Sequence, residues 1–215
     1  MKGNKVNFIP ANAILLIGPT GSGKTPLGNY IEEYGFNGKR CFHFDFGHEL
    51  RSIAGIDPPP HGFDKDDHAF IRGVLEKGLL LENEHFHIAE KIVEYFLNRK
   101  GFRDDDMLLL NGLPRHIDQA QDVARVADIR KLIVLECSPD DIFGRILGNT
   151  GGDRTERTDD SIGMVRKKLD IFERRTKPLI DYYSKINSKI FRIKVTTTST
   201  AENLYSGLIS IPGIF

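Results

Sequence analysis

Gly18-Pro19-Thr20-Gly21-Ser22-Gly23-Lys24-Thr25 is the stretch that decides the fold. It follows the apolar run Ala13-Ile14-Leu15-Leu16-Ile17, read as a strand over about 12–17, and it opens a helix expected over about 24–34. Strand, glycine-rich turn, Lys-Thr and helix together form the context in which G-x-x-x-x-G-K-[ST] holds phosphate. Glycines let the backbone N–H groups turn inward with no Cβ in the way. Those donors, with the positive end of the helix dipole, make a cavity for phosphate oxygens. Lys24 adds a full charge on a mobile stem, able to follow a phosphoryl group in transit. Pro26 fits the first helical turn, where an N–H has no intrahelical partner anyway. A glycine-rich turn between any strand and helix is the plain alternative, and the complete motif in the correct flanks argues against it.

Outward from this loop, strands and helices alternate. A second strand is expected over 41–45, followed by a short helix over about 47–54. Three prolines, Pro58, Pro59 and Pro60, then remove donors and fix φ, so 56–62 is a loop. Helical patterning resumes over about 66–77 and 82–99, the latter stopped by Gly101. Met107-Leu108-Leu109-Leu110 is apolar throughout, as a central parallel strand should be. A helix over about 117–126 and a fourth strand over about 132–136 follow. Ser138-Pro139-Asp140-Asp141 is a strong helix start, with a capping serine, proline at the first position and acids in the first turn. That helix runs to about 147. A polar, glycine-rich loop spans about 148–157, a long helix bent or broken near Pro178 spans about 159–186, and a fifth strand and last helix occupy about 189–195 and 201–208. This alternation implies a parallel sheet covered on both faces.

A chain of 215 residues with 40% hydrophobic content suits one α/β domain. Thirty basic residues balance thirty acidic ones, so nothing global points to nucleic acid or an anionic membrane surface. The apolar runs are strand-sized, so no membrane-spanning helix is expected. The first ten residues lack the apolar region of a signal peptide, and Cys41 and Cys137 read as reduced thiols, so a cytoplasmic location is expected. His43, His85 and His87 read as packing or surface groups; the last two are two apart on a helix and point different ways. Arg103-Asp104-Asp105-Asp106 reads as a solvated loop.

The motifs taken in order resemble the adenylate kinase family of nucleoside monophosphate kinases over nearly the whole chain. Besides the phosphate loop, Gly47-His48-Glu49-Leu50-Arg51 is similar to the family's G-D-x-L-R, and Asn111-Gly112-Leu113-Pro114-Arg115 with Gln119-Ala120 to its D-G-F-P-R…Q-A. Arg145-Ile146-Leu147-Gly148 is similar to its R-I-x-G, and Arg157-Thr158-Asp159-Asp160 to the segment after its lid. The resemblance implies an α/β P-loop NTPase with a five-stranded parallel sheet, and a single kinase domain over 1–215. It also implies an acceptor-binding insert at about 46–81 and a short lid at about 148–159, with no room for a zinc-bearing insert.

The implied activity is transfer of the ATP γ-phosphoryl to a nucleoside monophosphate, AMP first, with Mg²⁺, by a monomer that binds neither nucleic acid nor membrane. By resemblance, Gly21, Ser22, Gly23, Lys24, Thr25 and Pro26 would hold ATP, and Arg145 would stack on the donor base. Thr25 and Pro26 stand where the family usually has glycine and threonine, and Thr25 restores the general phosphate-loop pattern, so its hydroxyl is a candidate Mg²⁺ contact. Arg51 and Arg115 would grip the acceptor phosphate. Phe46, Leu79, Leu80, Leu81, Gly112 and Gln119 would form the acceptor site. Arg157 and Lys168 would act on the transferring group beside Lys24 and Arg115, and Asp159 and Asp160 would hold the closed lid. Converging cations fit the chemistry, because two polyanions must be brought together. Guanidinium forks match phosphate oxygens.

The chain also departs from the family. Its magnesium-associated aspartates fall at His48 and Asn111, an expected arginine is Asn149, another is Lys168, and the acceptor-base threonine is Phe46, preceded by Asp45. Arg154 is a candidate to restore the charge absent at Asn149, and Asn111→Asp is expected to raise activity if the amide is a handicap. Two alternatives therefore stand beside the main reading: a weak or inactive nucleotide-binding relative, and a P-loop kinase with a different small acceptor.

Overall fold

The structure is a computed structural model that describes residues 10–77, 81–155 and 161–214. The described residues adopt the α/β P-loop nucleotide-binding fold. Strands β1 (Ala11–Ile17), β2 (Cys41–Asp45), β3 (Met107–Asn111), β4 (Ala127–Cys137) and β5 (Lys189–Val195) form one parallel sheet in the order β2-β3-β1-β4-β5. The phosphate-loop strand is thus central, with Leu15 beside Leu110 on one side and Leu132 on the other. Leu109, Leu110, Leu132 and Ile133 are all buried, which explains their continuous apolar runs.

Alternate residues of each strand serve different layers. On one face Ala13, Leu15, Phe44, Leu108 and Leu110 pack with Phe86, Val93 and Phe96 of α4 (Phe86–Lys100) and with Leu179 and Tyr183 of α8 (Leu179–Lys185). On the other, Ile14, Leu16, Leu109 and Ile133 meet Leu27 and Ile31 of α1 (Lys24–Tyr34) and Leu204 and Leu208 of α9 (Ala201–Ile209). Helices α2 (Phe46–Gly55) and α3 (Lys65–Lys77) occupy the segment expected as an insert. Their Ile53 and Ile71 are fully buried in the same core as Phe96, so this segment shares the main apolar interior.

The remaining helices are α5 (Ile117–Val123), α6 (Pro139–Leu147) and α7 (Ile162–Ile171). Ser138 caps α6 as expected, accepting from the Asp141 N–H at 3.1 Å. The long helix expected over about 159–186 is α7, a π-helical turn at Phe172–Thr176, a break at Lys177 and Pro178, where proline is expected to interrupt it, and then α8. The fourth strand begins five residues before the apolar run that predicted it. Asp128, Arg130 and Lys131 disguise its first half, where β1 and β4 shift register between Ala13 and Ile14. That early start also ends α5 at Val123, short of the expected 126. The acidic run before β3 is not simply solvated. Asp106 is buried, receives both arms of Arg40 at 2.8 and 2.7 Å, and accepts the Arg103 N–H.

Candidate active site

The carboxyl ends of β1, β2 and β3 open onto a cleft of about 560 Å³, the position where parallel α/β sheets bind ligands. Its floor is the phosphate loop. Gly21 and Gly23 take φ of +80° and +91°, a left-handed backbone that side chains with a Cβ rarely adopt. Ser22 is buried and its hydroxyl donates to the Pro19 carbonyl at 2.9 Å, which pins the turn from below. Lys24 Nζ folds over the loop and donates to the carbonyls of Gly18 and Pro19 at 2.6 and 2.8 Å. A phosphate would offer that ammonium a full charge in place of two dipoles.

The walls are cationic. Arg51 of α2, Arg115 after β3, Arg154 and Lys168 of α7 all line the same cleft as Lys24 and Thr25. Arg115 Nε donates to the Gly112 carbonyl at 3.0 Å, and its guanidinium lies 5.9 Å from the centre of the Phe46 ring. Burial lowers the Arg115 pKa, Asp45 opposes that shift and the Arg51 charge adds to it, as expected where two arginines approach one ligand. Arg154 is presented by Asn149. The Asn149 backbone is left-handed at φ +45°, its side-chain oxygen accepts the Arg154 N–H at 3.1 Å, and Arg154 Nη2 reaches Thr20 Oγ1 at 3.3 Å.

A polar cluster closes the floor where β2 and β3 end side by side, with Asp45 in register with Asn111. Thr25 Oγ1 donates to Asp45 Oδ2 at 2.7 Å, and Asn111 Nδ2 donates to the same carboxylate oxygen at 2.9 Å. Asp45 Oδ1 accepts the His48 N–H at 3.0 Å and so caps α2. Behind them His43 Nδ1 lies 2.8 Å from Asn29 Oδ1, while its Nε2 faces the Asn111 amide nitrogen at 3.3 Å. Facing an acceptor on one side and a donor on the other assigns a neutral ring protonated at Nδ1. Burial lowers the His43 pKa in the same sense. Gly28 makes room for this ring, since a Cβ there would sit 2.4 Å from it.

These groups can hold Mg²⁺. A hydroxyl and a carboxylate adjoin the phosphate loop, and hard oxygen donors suit that ion. Among the described residues no group of three or more His, Cys, Asp or Glu side chains could hold a metal unaided.

The structure brings together Gly21, Gly23, Lys24, Thr25, Arg51, Gly112, Arg115 and Lys168 on one cleft. It does not bring others there. Arg145, expected to stack on a base, is buried and donates to the carbonyls of Gly21, Thr196 and Ser199 at 2.9, 2.9 and 2.6 Å. It braces the phosphate loop against the turn after β5. Phe46, expected to reshape the acceptor-base pocket, is 1% exposed and packs beneath Arg115. Gln119, expected to read that base, is 1% exposed and spent on the protein. Its Oε1 accepts the Arg115 N–H at 2.9 Å and its Nε2 donates to the Leu81 carbonyl at 2.6 Å. Leu81 itself is in the core, and Pro26 is off the cleft wall. Leu79, Leu80, Arg157, Asp159 and Asp160 lie outside the described residues. Asp45 entered the sequence reading only as the neighbour of Phe46. Its signal, a carboxylate ending an apolar strand directly beside Asn111, needs the strand order to be seen.

No protein-family model matches the chain. Curated proteins do. UMP-CMP kinase 1 of Oryza sativa subsp. japonica is 26% identical over 175 residues, which cover 80% of this chain and 63% of that protein. An adenylate kinase of Natronomonas pharaonis is 26% identical over 192 residues, covering 79% and 83%. The uridylate kinase of Saccharomyces cerevisiae is 24% identical over 187 residues, covering 85% and 82%. The chain therefore spans less than two thirds of the rice protein and most of the other two. Its resemblance is to the nucleoside monophosphate kinases of the adenylate kinase family, and these relatives support a nucleotide kinase.

Proposed function

We propose that the chain is an ATP-dependent nucleoside monophosphate kinase, with AMP as its acceptor. One observation carries this reading. Lys24 and Thr25 of the phosphate loop share a single cleft with Arg51, Arg115, Arg154 and Lys168, which come from four other parts of the chain. A cleft with one anionic ligand has little use for so many separate cations. Two phosphorylated ligands that repel each other need them.

The phosphate loop would hold the donor phosphates on its N–H groups. Lys24 would exchange the Gly18 and Pro19 carbonyls for them and track the group in flight. Arg51 and Arg115 would fix the acceptor phosphate in line. Arg115 is held for that task by Gly112 and by the Phe46 ring beneath it. Arg154, already touching Thr20, would supply the lid-side charge that Asn149 lacks. Mg²⁺ bound with ATP would neutralise phosphate charge, and Thr25 and Asp45 are the groups that would hold it. Most of the rate would come from positioning and charge neutralisation with water excluded.

A coupled assay with ATP, Mg²⁺ and each of AMP, UMP, CMP, GMP and dTMP tests the proposal. Turnover with AMP is expected; clear ATP binding with turnover of none would replace the enzyme with a nucleotide-binding module. One observation favours a second reading. Phe46 and Gln119, the residues expected to meet the acceptor base, are buried and engaged elsewhere. A P-loop kinase with a small acceptor lacking a base would fit that. Inhibition by a two-headed dinucleoside polyphosphate supports the monophosphate kinase, and insensitivity supports the second reading.

A further inference from the structure

We infer that Asp45, at the end of β2, supplies the metal-side carboxylate of this site, in place of the residue that ends β3. The inference deepens the proposed function and rests on ATP being the donor. The two positions where the resemblance expects acids hold His48 and Asn111. A neutral amide cannot contribute the negative charge that orients a hydrated divalent cation.

The sheet corrects the deficit by geometry. β2 and β3 are adjacent and parallel, and Asp45 is the direct register partner of Asn111. The two side chains touch, with Asn111 Nδ2 donating to Asp45 Oδ2 at 2.9 Å. A carboxylate has moved one strand sideways and stayed on the same spot of the cleft floor.

Its surroundings suit the task. Thr25, whose hydroxyl the phosphate-loop motif directs at the metal, donates to the same Oδ2 at 2.7 Å. That bond spends the hydroxyl proton on Asp45, and the Thr25 oxygen accepts from Asn111 Nδ2 at 3.2 Å while keeping a second lone pair for a ligand. Asp45 Oδ1 caps α2 through the His48 N–H and Oδ2 accepts from Thr25 and Asn111, so both oxygens are held in fixed places on a residue that lines the cleft. Asn111 then has a role of its own. It holds Oδ2 in place as a donor, and His43 and Asn29 hold it in turn.

The experiment measures ATP binding, independently of turnover. Affinity for a fluorescent ATP analogue is titrated with Mg²⁺ and with a chelator, and bound Mn²⁺ is followed by its electron spin resonance signal. Asp45→Asn keeps an N-cap oxygen for α2, so the fold should survive. It should lose tenfold or more of the metal-dependent gain in affinity, read as the ratio of affinities with Mg²⁺ and with chelator for each protein. The double exchange of Asp45→Asn with Asn111→Asp returns the carboxylate to the neighbouring strand in mirror image. It should recover most of that gain and the Mn²⁺ signal. Parent-like metal dependence in Asp45→Asn overturns the inference, as does a double exchange that melts like the parent and binds Mn²⁺ no better than Asp45→Asn. A parent that binds ATP with metal and phosphorylates no monophosphate sinks the proposed acceptor and leaves the Asp45 assignment to this titration. A parent that binds no ATP ends both.

Discussion

Asn111→Asp is the perturbation on which sequence and structure disagree. From the family pattern alone, restoring the aspartate should raise activity. In the folded chain the Asn111 amide donates to Asp45 Oδ2 at 2.9 Å, so the substitution sets two carboxylates face to face. Asn111 is 4% exposed, which leaves little water to screen them. At an effective dielectric constant of 20, two unit charges at that separation repel by about 5–6 kcal/mol. The escape is for the pair to share a proton. At about pH 7.5 that costs about 5 kcal/mol for a carboxyl with an ordinary pKa of about 3.9. The lost hydrogen bond to a charged acceptor adds about 1.5–3 kcal/mol. Side-chain relaxation recovers part of this, so we expect a net loss of about 3 kcal/mol, against a total stability of about 5–15 kcal/mol.

The sign with pH follows. The shared proton is held more tightly in the folded state than in the unfolded one. The deficit should therefore shrink as pH falls, to about 1–2 kcal/mol near pH 5. Urea unfolding of parent and variant in chelator, at both pH values, reads this directly, and excess Mg²⁺ should restore part of the loss at the higher pH. A variant as stable as the parent in chelator near pH 7.5 refutes the argument, because the two side chains would then not be in contact. Activity should not rise.

Three further outcomes test other parts of the site. Lys24→Met should lower phosphoryl transfer by about 10²–10³-fold or more with little change in melting temperature, since its ammonium donates to loop carbonyls on the cleft floor; parent-level turnover removes the proposed site. Gly28→Ala would ordinarily stabilise a helix by about 0.8–1 kcal/mol. Here the new methyl meets the buried His43 ring at 2.4 Å, and overpacking of about 1–3 kcal/mol should reverse the sign; a more stable variant in urea shows that the helix or ring yields freely. His116 is buried, and burial and then Arg175 lower its pKa, with Glu82 and Asp118 opposing. A depressed histidine pKa gives stability that is complete above the unfolded value of about 6.5 and is lost as pH falls from there toward the folded value. His116→Leu should flatten that part of the stability–pH curve, and an unchanged slope discards the assignment.

What was legible in the sequence is what local chemistry decides. The helix after the phosphate loop, the second and fifth strands and the Ser138 cap lie where residue type and spacing put them. Each depends on neighbours within a few residues. The early start of β4 was hidden because Asp128, Arg130 and Lys131 break the apolar pattern, and their strand conformation comes from pairing with β1. The break in the long helix falls at Lys177 and Pro178, where proline marks it in the sequence, while the π-helical turn just before it left no mark in residue type. At the site, Gly21, Gly23, Lys24 and Thr25 line the cleft from a local motif, while Ser22 is buried and Pro26 lies off the cleft wall. Arg145, Phe46 and Gln119 were placed by analogy at ligand-facing positions, and only their three-dimensional partners show guanidinium, ring and amide turned inward.

The same partners explain how a cleft tolerates so many substituted positions. Charge at a binding site has to be conserved in space, and the chain offers more than one position that reaches a given point. Asp45 and Asn111 end adjacent strands in register, so acid and amide can trade places across about 3 Å of hydrogen bond. The lid side shows the same logic with opposite sign. Asn149 lacks a cation, but its left-handed backbone and its bond to the Arg154 N–H turn the chain so that Arg154 touches the phosphate loop at Thr20. If charge has been relocated in this way, losses at the old and new positions should not be independent. Arg154→Ala should be costly in this chain, and Asn149→Arg should rescue it in part, read as ATP affinity and transfer rate. A rescue that fails while the protein folds normally would mean that Arg154 and position 149 do not serve the same point in space. The departures would then be losses of function rather than exchanges.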